Sequence, residues 1–134
     1  MSYRSDVAIC WKAEDYEKFK SEFSKIDKDD WDNKWSLFRH CDEVYHATAG
    51  CNSYVVTVWT DVKWYAGWKE YENVNFVEEL RKSHSSLFYR IGEDVCDIEE
   101  DWNEADGDNG VNGEMCEVLS VSRSFDISGD AEVL

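Results

Sequence analysis

The run YVVTVW, from Tyr54 to Trp59, constrains the fold more than any other stretch of the chain. Its β-branched and aromatic residues favour an extended strand, and apolar side chains occupy both faces that such a strand presents. A strand that is apolar on both faces is typical of the interior of a sheet. We therefore predict that residues 53–60 form a central strand.

Two hydrophobic periods organise the first third of the chain. Apolar side chains alternate with polar ones over residues 3–11, which predicts a half-buried strand. The spacing then becomes three to four residues, beginning with Tyr16 and Phe19, and predicts a helix over residues 13–26. Three aromatic residues at helical spacing predict a shorter turn within residues 31–38.

A second helix is predicted from Asn73 to about residue 84. Its apolar stripe contains Phe76, Val77 and Leu80, and its acidic side chains, Glu78 among them, are expected on the outside. The remaining predicted elements are strands, at residues 43–48, 86–91 and 116–125.

The resulting order is strand, helix, strand, strand, helix, strand, strand. Without its last strand, this order matches the β-α-β-β-α-β unit of ferredoxin-like folds. We predict an α+β fold: an antiparallel sheet of four to five strands, its first and third strands central, with two helices on one face and an added C-terminal strand. Residues 1–127 would form a single domain with a mobile acidic loop at about 103–114, and residues 128–134 a frayed tail.

The charge of the chain is concentrated in its last third. Residues 1–91 contain sixteen acidic and thirteen basic residues, whereas residues 92–134 contain fourteen acidic residues and one base, Arg123. Eleven of these acids lie between residues 92 and 117, a stretch with no lysine or arginine. A net charge of -16 opposes direct binding to nucleic acid or to an anionic membrane, and it favours a basic partner.

Catalytic, metal and export motifs are missing from the sequence. The five cysteines show no C-x-x-C pair, the three histidines are far apart, and no phosphate loop or nucleophile elbow occurs. An EF-hand that begins at Glu104 would place Asn109 where glycine is required and Met115 where glutamate is required. We therefore expect a cytoplasmic protein that is not an enzyme and has no metal or cofactor.

Two groups of residues are candidate binding sites. The first is the acidic stretch, which suits a basic protein surface with a tryptophan as an apolar anchor. The second is an aromatic group beside a few cations, which suits a small ligand or nucleotide. The acidic candidates are Glu93, Asp94, Asp97, Glu99, Glu100, Asp101 and Trp102, and the alternative pocket comprises Trp59, Lys63, Trp64, Trp68 and Arg90.

Three short pieces of the chain, in a shared order, resemble a family of small acidic proteins encoded by bacteriophages and prophages. The pieces are SYRSDV from Ser2, DVKWY from Asp61, and RIGED from Arg90, the last followed by DIEE from Asp97. The functions of this family are largely unassigned, and it supplies no catalytic residues. The resemblance implies a protein that acts in the cytoplasm of an infected bacterium, often by binding a host protein.

The sequence thus favours a non-enzymatic phage-type protein that blocks a basic, nucleic-acid-binding surface of a host or defence protein. DNA mimicry is one form of this hypothesis, because eleven acids within twenty-six residues approach the charge density of one DNA strand. The alternative is a protein that sequesters a small ligand or nucleotide in the aromatic group. An uncharacterised hydrolase is the third and least favoured hypothesis.

Overall fold

The structure, a computed structural model, describes residues 3–23, 36–94, 96–122 and 124–132. Both predicted helices are present, but the expected end of the first, at residue 26, and most of the helical turn at 31–38 lie outside the described residues. The elements are β1 Ser5–Lys12, α1 Ala13–Phe23, α2 Ser36–Arg39, β2 Glu43–Ala49, β3 Asn52–Val62, α3 Glu72–Ser83, β4 Ser86–Gly92, β5 Ile98–Asn103, α4 Val111–Val118, β6 Leu119–Val121, β7 Phe125–Ile127 and β8 Asp130–Ala131.

Most strands belong to one antiparallel sheet with the order β5-β4-β1-β3-β2-β8. β1 and β3 occupy its centre, as predicted, and the six residues of YVVTVW are all buried. The mixed α+β class with an antiparallel sheet is confirmed. The layout departs from the predicted ferredoxin-like arrangement, because β5 and β8 extend the sheet at its two edges and α4 adds a helix.

One face of the sheet packs against α1, α2 and α3. The inward side chains of β1 and β3, including Trp11 and Trp59, are fully buried there beside Phe19 of α1 and Val77 of α3. The rings of Trp11 and Phe19 meet edge to face, with their centroids 5.4 Å apart. Burial of such large aromatic surfaces supplies the main driving force for this half of the core.

The opposite face is covered as well, by α4 and by the small sheet of β6 and β7. Ala8 and Cys10 of β1 lie beneath Met115 and Val118 of α4 in a second buried cluster. The predicted half-buried strand at residues 3–11 is therefore wrong in one respect, because β1 is buried on both faces. The prediction that helices cover only one face is wrong for the same reason.

The C-terminal third contains the largest corrections to the predicted elements. The strand expected at residues 116–125 is instead the end of α4, then β6, then a turn into β7. The loop expected at residues 103–114 is shorter, since Asn103 ends β5 and Val111 begins α4. Within the expected tail, β8 pairs with Tyr45 and His46 of β2, and residues 133–134 lie outside the described part.

Candidate binding face on strand β5

Six residues of the acidic stretch, three of them acids, form the edge strand β5. Its six residues pair with β4 from Ile91↔Ile98 to Ser86↔Asn103, and no further strand borders it among the described residues. Side chains of a strand alternate between the two faces of the sheet, and directly paired residues share a face. Because Phe88 belongs to the core under α1 to α3 and Leu87 to the core under α4, each β5 side chain can be assigned to one face.

On the α3 side, Arg90 of β4 binds two of the acids. Its guanidinium donates hydrogen bonds to Asp97 Oδ1 at 2.8 Å and Oδ2 at 3.0 Å, and to Glu99 Oε1 at 2.9 Å. Tyr3 Oη also donates to Asp97 Oδ2 at 2.5 Å. Arg90 first, and then Tyr3, stabilise the Asp97 carboxylate and hold its pKa below the usual range.

Further along the same side, Arg81 of α3 binds a third acid from inside the core. The side chain of Arg81 is 5% exposed, and it contacts Glu78 and Asp101 at N–O distances of 2.5 Å. Its guanidinium lies 4.1 Å from the centroid of the Phe88 ring, and Trp64 Nε1 donates to Glu78 at 2.9 Å. The prediction that Glu78 lies outside is wrong, because the buried Arg81 draws it into the core.

The α4 side of β5 is different, because two of its side chains are apolar and its one acid, Glu100, lies between them. Ile98 is 46% exposed and Trp102 is 57% exposed, and they flank Glu100 at every second position. Glu100 is also exposed, and it forms no ion pair with a lysine or arginine in the described residues. The α4 side thus presents an apolar, acidic, apolar strip, which we call the β5 strip: Ile98, Glu100 and Trp102.

The turn between β4 and β5 carries two more exposed acids. Glu93 accepts a hydrogen bond from the Arg4 backbone N–H at 2.8 Å, and the Asp94 N–H donates to Tyr3 Oη at 3.2 Å. A Cβ on Gly92 would come within 2.2 Å of Tyr3 Oη, so the close approach of Tyr3 requires glycine there. Tyr3 therefore fixes the turn while leaving both carboxylates at the surface.

Other acids of the stretch have structural partners. Asp108 forms an ion pair with Lys12 at 3.0 Å and accepts from Ser85 Oγ at 2.5 Å, which together lower its pKa. Glu114 of α4 accepts hydrogen bonds from Tyr54 and Asn52, and these bonds lower its pKa. Some acids of the stretch therefore stabilise the fold, whereas others are exposed at the surface.

The residues of the alternative pocket are dispersed. Trp59 and Trp64 are buried in the core with ring centroids 5.6 Å apart, and Trp59 Nε1 donates to the Leu37 carbonyl at 2.6 Å. Trp68 is 60% exposed and lies against Tyr65, with centroids 5.4 Å apart. Lys63 is half-buried, and Arg90 belongs to the ion pairs of β5.

Sequence reasoning did not identify Ile98 or Arg81 as parts of this face, and it did not predict that Arg90 binds the candidate acids Asp97 and Glu99. The signal for Ile98 was available, because Ile98, Glu100 and Trp102 alternate with Glu99 and Asp101 as strand residues do. The buried role of Arg81 was not visible locally, because its spacing of three residues from Glu78 is also typical of exposed pairs on a helix, and Asp101 is twenty residues away along the chain.

Within the described residues, neither metal ligands nor membrane-spanning helices define a second site. Within the described residues, no group of three or more His, Cys, Asp or Glu side chains could hold a metal ion. The helices in that same part of the chain are too short or too polar to cross a bilayer. Comparisons with protein-family models, with curated proteins and with solved structures find no match to this chain.

Proposed function

We propose that this protein is a non-enzymatic binding protein that uses the β4–β5 turn and the β5 strip to bind a basic surface of another protein. The observation that carries the proposal is the fixed, two-sided architecture of β5. Arg81 and Arg90 form ion pairs with the acids on one side of the strand and hold them in place, while Glu100 is exposed between two apolar side chains on the other. Apolar anchors within a charged rim are typical of specific protein interfaces.

The proposed context follows from the phage-protein resemblance. The partner would be a nucleic-acid-binding or defence protein in the cytoplasm of an infected bacterium, and binding would block its basic surface. Long-range attraction between the net charge of -16 and a basic partner would accelerate association, and salt would screen it.

DNA mimicry is the more specific form of the proposal. A mimic needs a line of unpaired negative charges, and on β5 this requirement conflicts with the ion pairs of Asp97, Glu99 and Asp101. From the β4–β5 turn to the end of β5, the carboxylates without a lysine or arginine partner among the described residues are Glu93, Asp94 and Glu100. We therefore expect recognition to depend on these three acids together with Trp102, rather than on total charge.

The test compares two variants with the same change in charge. The first is Glu93→Gln with Asp94→Asn and Glu100→Gln, and its matched control replaces three exposed acids elsewhere, Glu17, Glu70 and Glu79, with glutamine. Each protein is immobilised and exposed to bacterial lysate at about 0.05 M and 0.5 M salt, concentrations at which screening differs strongly. Captured proteins are identified and then titrated against each variant in purified form.

We expect the wild type and the control to capture the same basic protein at low salt, and the first variant to lose it. Equal affinity of the wild type and the first variant would remove these acids from the function. Duplex DNA should compete with the wild-type protein for the captured partner. Simultaneous binding of DNA and this protein to the partner would refute the blocking role while leaving the binding role intact.

A further inference from the structure

We infer that β5 binds its partner by strand addition, and that the partner segment is an extended strand with the alternating pattern apolar–x–basic–x–apolar. The inference rests on the proposed function, because it assumes that β5 is the binding face. It adds the conformation of the partner, its register around Glu100 and the residue types that it must present.

The backbone of β5 supports strand addition. The Gly92 N–H donates to the Asp97 carbonyl at 2.8 Å, and antiparallel ladders alternate between bonded and non-bonded pairs. Glu99 and Asp101 therefore direct their backbone groups toward β4, whereas Ile98, Glu100 and Trp102 direct theirs away from the sheet.

Two of the three outward N–H groups already have local acceptors. The Ile98 N–H donates to the Cys96 carbonyl at 3.1 Å, and the Trp102 N–H donates to Asp101 Oδ1 at 3.0 Å. Among the described residues, this leaves the N–H of Glu100 as the outward donor of β5 without an acceptor. An added antiparallel strand would exchange two hydrogen bonds with the backbone of Glu100, so Glu100 sets the register.

The side chains of β5 determine the chemistry of that strand. Residues that pair directly across two strands share a face, so the partner residue opposite Glu100 would lie beside its carboxylate. That residue must be lysine or arginine, and its neighbours two positions away would contact Ile98 and Trp102. The intervening positions face Glu99 and Asp101, which already have guanidinium partners in Arg90 and Arg81, so a basic residue is not required there.

The same charges exclude a second copy of this chain as the occupant. Antiparallel pairing of two β5 strands about Glu100 would place this residue opposite its own copy, with Glu99 opposite Asp101 on either side. Like charges that are directly opposed destabilise a strand pair. Charged edge strands protect sheets from self-association in this way. A basic strand does not meet this repulsion, because its charge is opposite to that of Glu100.

The experiment uses the full chain and a library of random twelve-residue peptides displayed without secondary-structure constraint. Enriched peptides are synthesised and their affinities measured by calorimetry or fluorescence anisotropy. Each backbone amide of the tightest peptide is then methylated in turn, which removes one N–H donor at a time without changing the protein. In parallel, hydrogen exchange of the Glu100 amide is followed by NMR with and without peptide.

We expect enriched peptides to carry the apolar–x–basic–x–apolar pattern. Methylation should weaken binding about tenfold at every second amide, because it removes one intermolecular hydrogen bond there, and it should have little effect at the amides between them. The Glu100 amide should become protected from exchange. Glu100→Lys should lose the peptide and regain binding when the basic residue of the peptide is replaced by glutamate. The control variant Glu79→Lys should retain the original affinity.

The outcomes separate this inference from the proposed function. Basic peptides that lose affinity for the variant with Glu93→Gln, Asp94→Asn and Glu100→Gln, but show no alternation in the methylation scan, would overturn strand addition and leave the acidic binding face in place. Enriched peptides that bind this variant and the wild type equally would overturn both.

Discussion

Replacing Arg81 with methionine should destabilise the protein more than any other change near β5. Arg81 is 4% exposed and Glu78 is 7% exposed, so the substitution leaves a buried carboxylate whose other donor is Trp64 Nε1. Breaking a buried ion pair by removing one partner costs about 3 to 5 kcal/mol. The loss of the Asp101 contact adds at most about 1 kcal/mol, because that side chain is 50% exposed.

The assay is equilibrium urea unfolding, followed by tryptophan fluorescence. With a slope of about 2 kcal/mol per M, the midpoint of Arg81→Met should fall by about 1.5 to 2.5 M relative to the wild type. The double variant with Glu78→Gln retains an acceptor for Trp64 and has no buried charge, and it should recover more than half of the loss. Asp101→Asn alone should shift the midpoint by about 0.5 M or less.

A midpoint shift below about 0.5 M for Arg81→Met would refute the reasoning, because it would mean that Glu78 loses its arginine partner at little cost in unfolding free energy. The same variant has a second readout, since Arg81 attaches β5 to α3. Hydrogen exchange should accelerate at residues 98–103 before the rest of the sheet is affected.

Two further predictions concern charge and packing. The pKa of Asp97 is lower in the folded protein than in the unfolded chain, so its charge stabilises the fold at neutral pH. The difference in unfolding free energy between wild type and Asp97→Asn should therefore shrink as the pH falls below about 4. A difference that is independent of pH between 7 and 3 would contradict this prediction. Trp59→Ala should cost about 3 to 5 kcal/mol in unfolding free energy, because Trp59 is fully buried. Trp68 is exposed, so Trp68→Ala should change the unfolding free energy by about 0.5 kcal/mol or less. Equal effects of the two substitutions would mean that Trp59 is not buried as described.

The elements that sequence reasoning identified are those with a strong local period. The two-faced apolar run of β3 could only be buried inside a sheet, and the aromatic stripe of α1 could only be one face of a helix. α4 was missed because its apolar positions Val111, Met115 and Val118 are embedded among glycine, asparagine and acidic residues. Its helical spacing is correct, but its intrinsic propensity is low, and packing against β1 and β2 compensates.

Strand β5 was missed for a different physical reason. Its sequence, IEEDWN, contains three consecutive acids, and such a run is typical of a solvated loop. The strand is held by contacts distant along the chain, since Arg90 lies nine residues from Glu99 and Arg81 lies twenty residues from Asp101. No window of the sequence short enough to show a period contains the charges that stabilise the strand.

The division of charge on β5 limits what net charge can reveal about a binding surface. Acids on the α3 side share two guanidinium partners, which reduces their contribution to the field that an approaching partner meets. Glu100 has no such partner among the described residues, and its neighbours Ile98 and Trp102 supply apolar area whose contribution does not depend on salt. A surface of this composition discriminates by register as well as by sign, because a basic group one residue out of phase would face acids that already have guanidinium partners. Specificity is therefore expected to reside in the alternation along β5, while the excess charge elsewhere governs the rate of encounter.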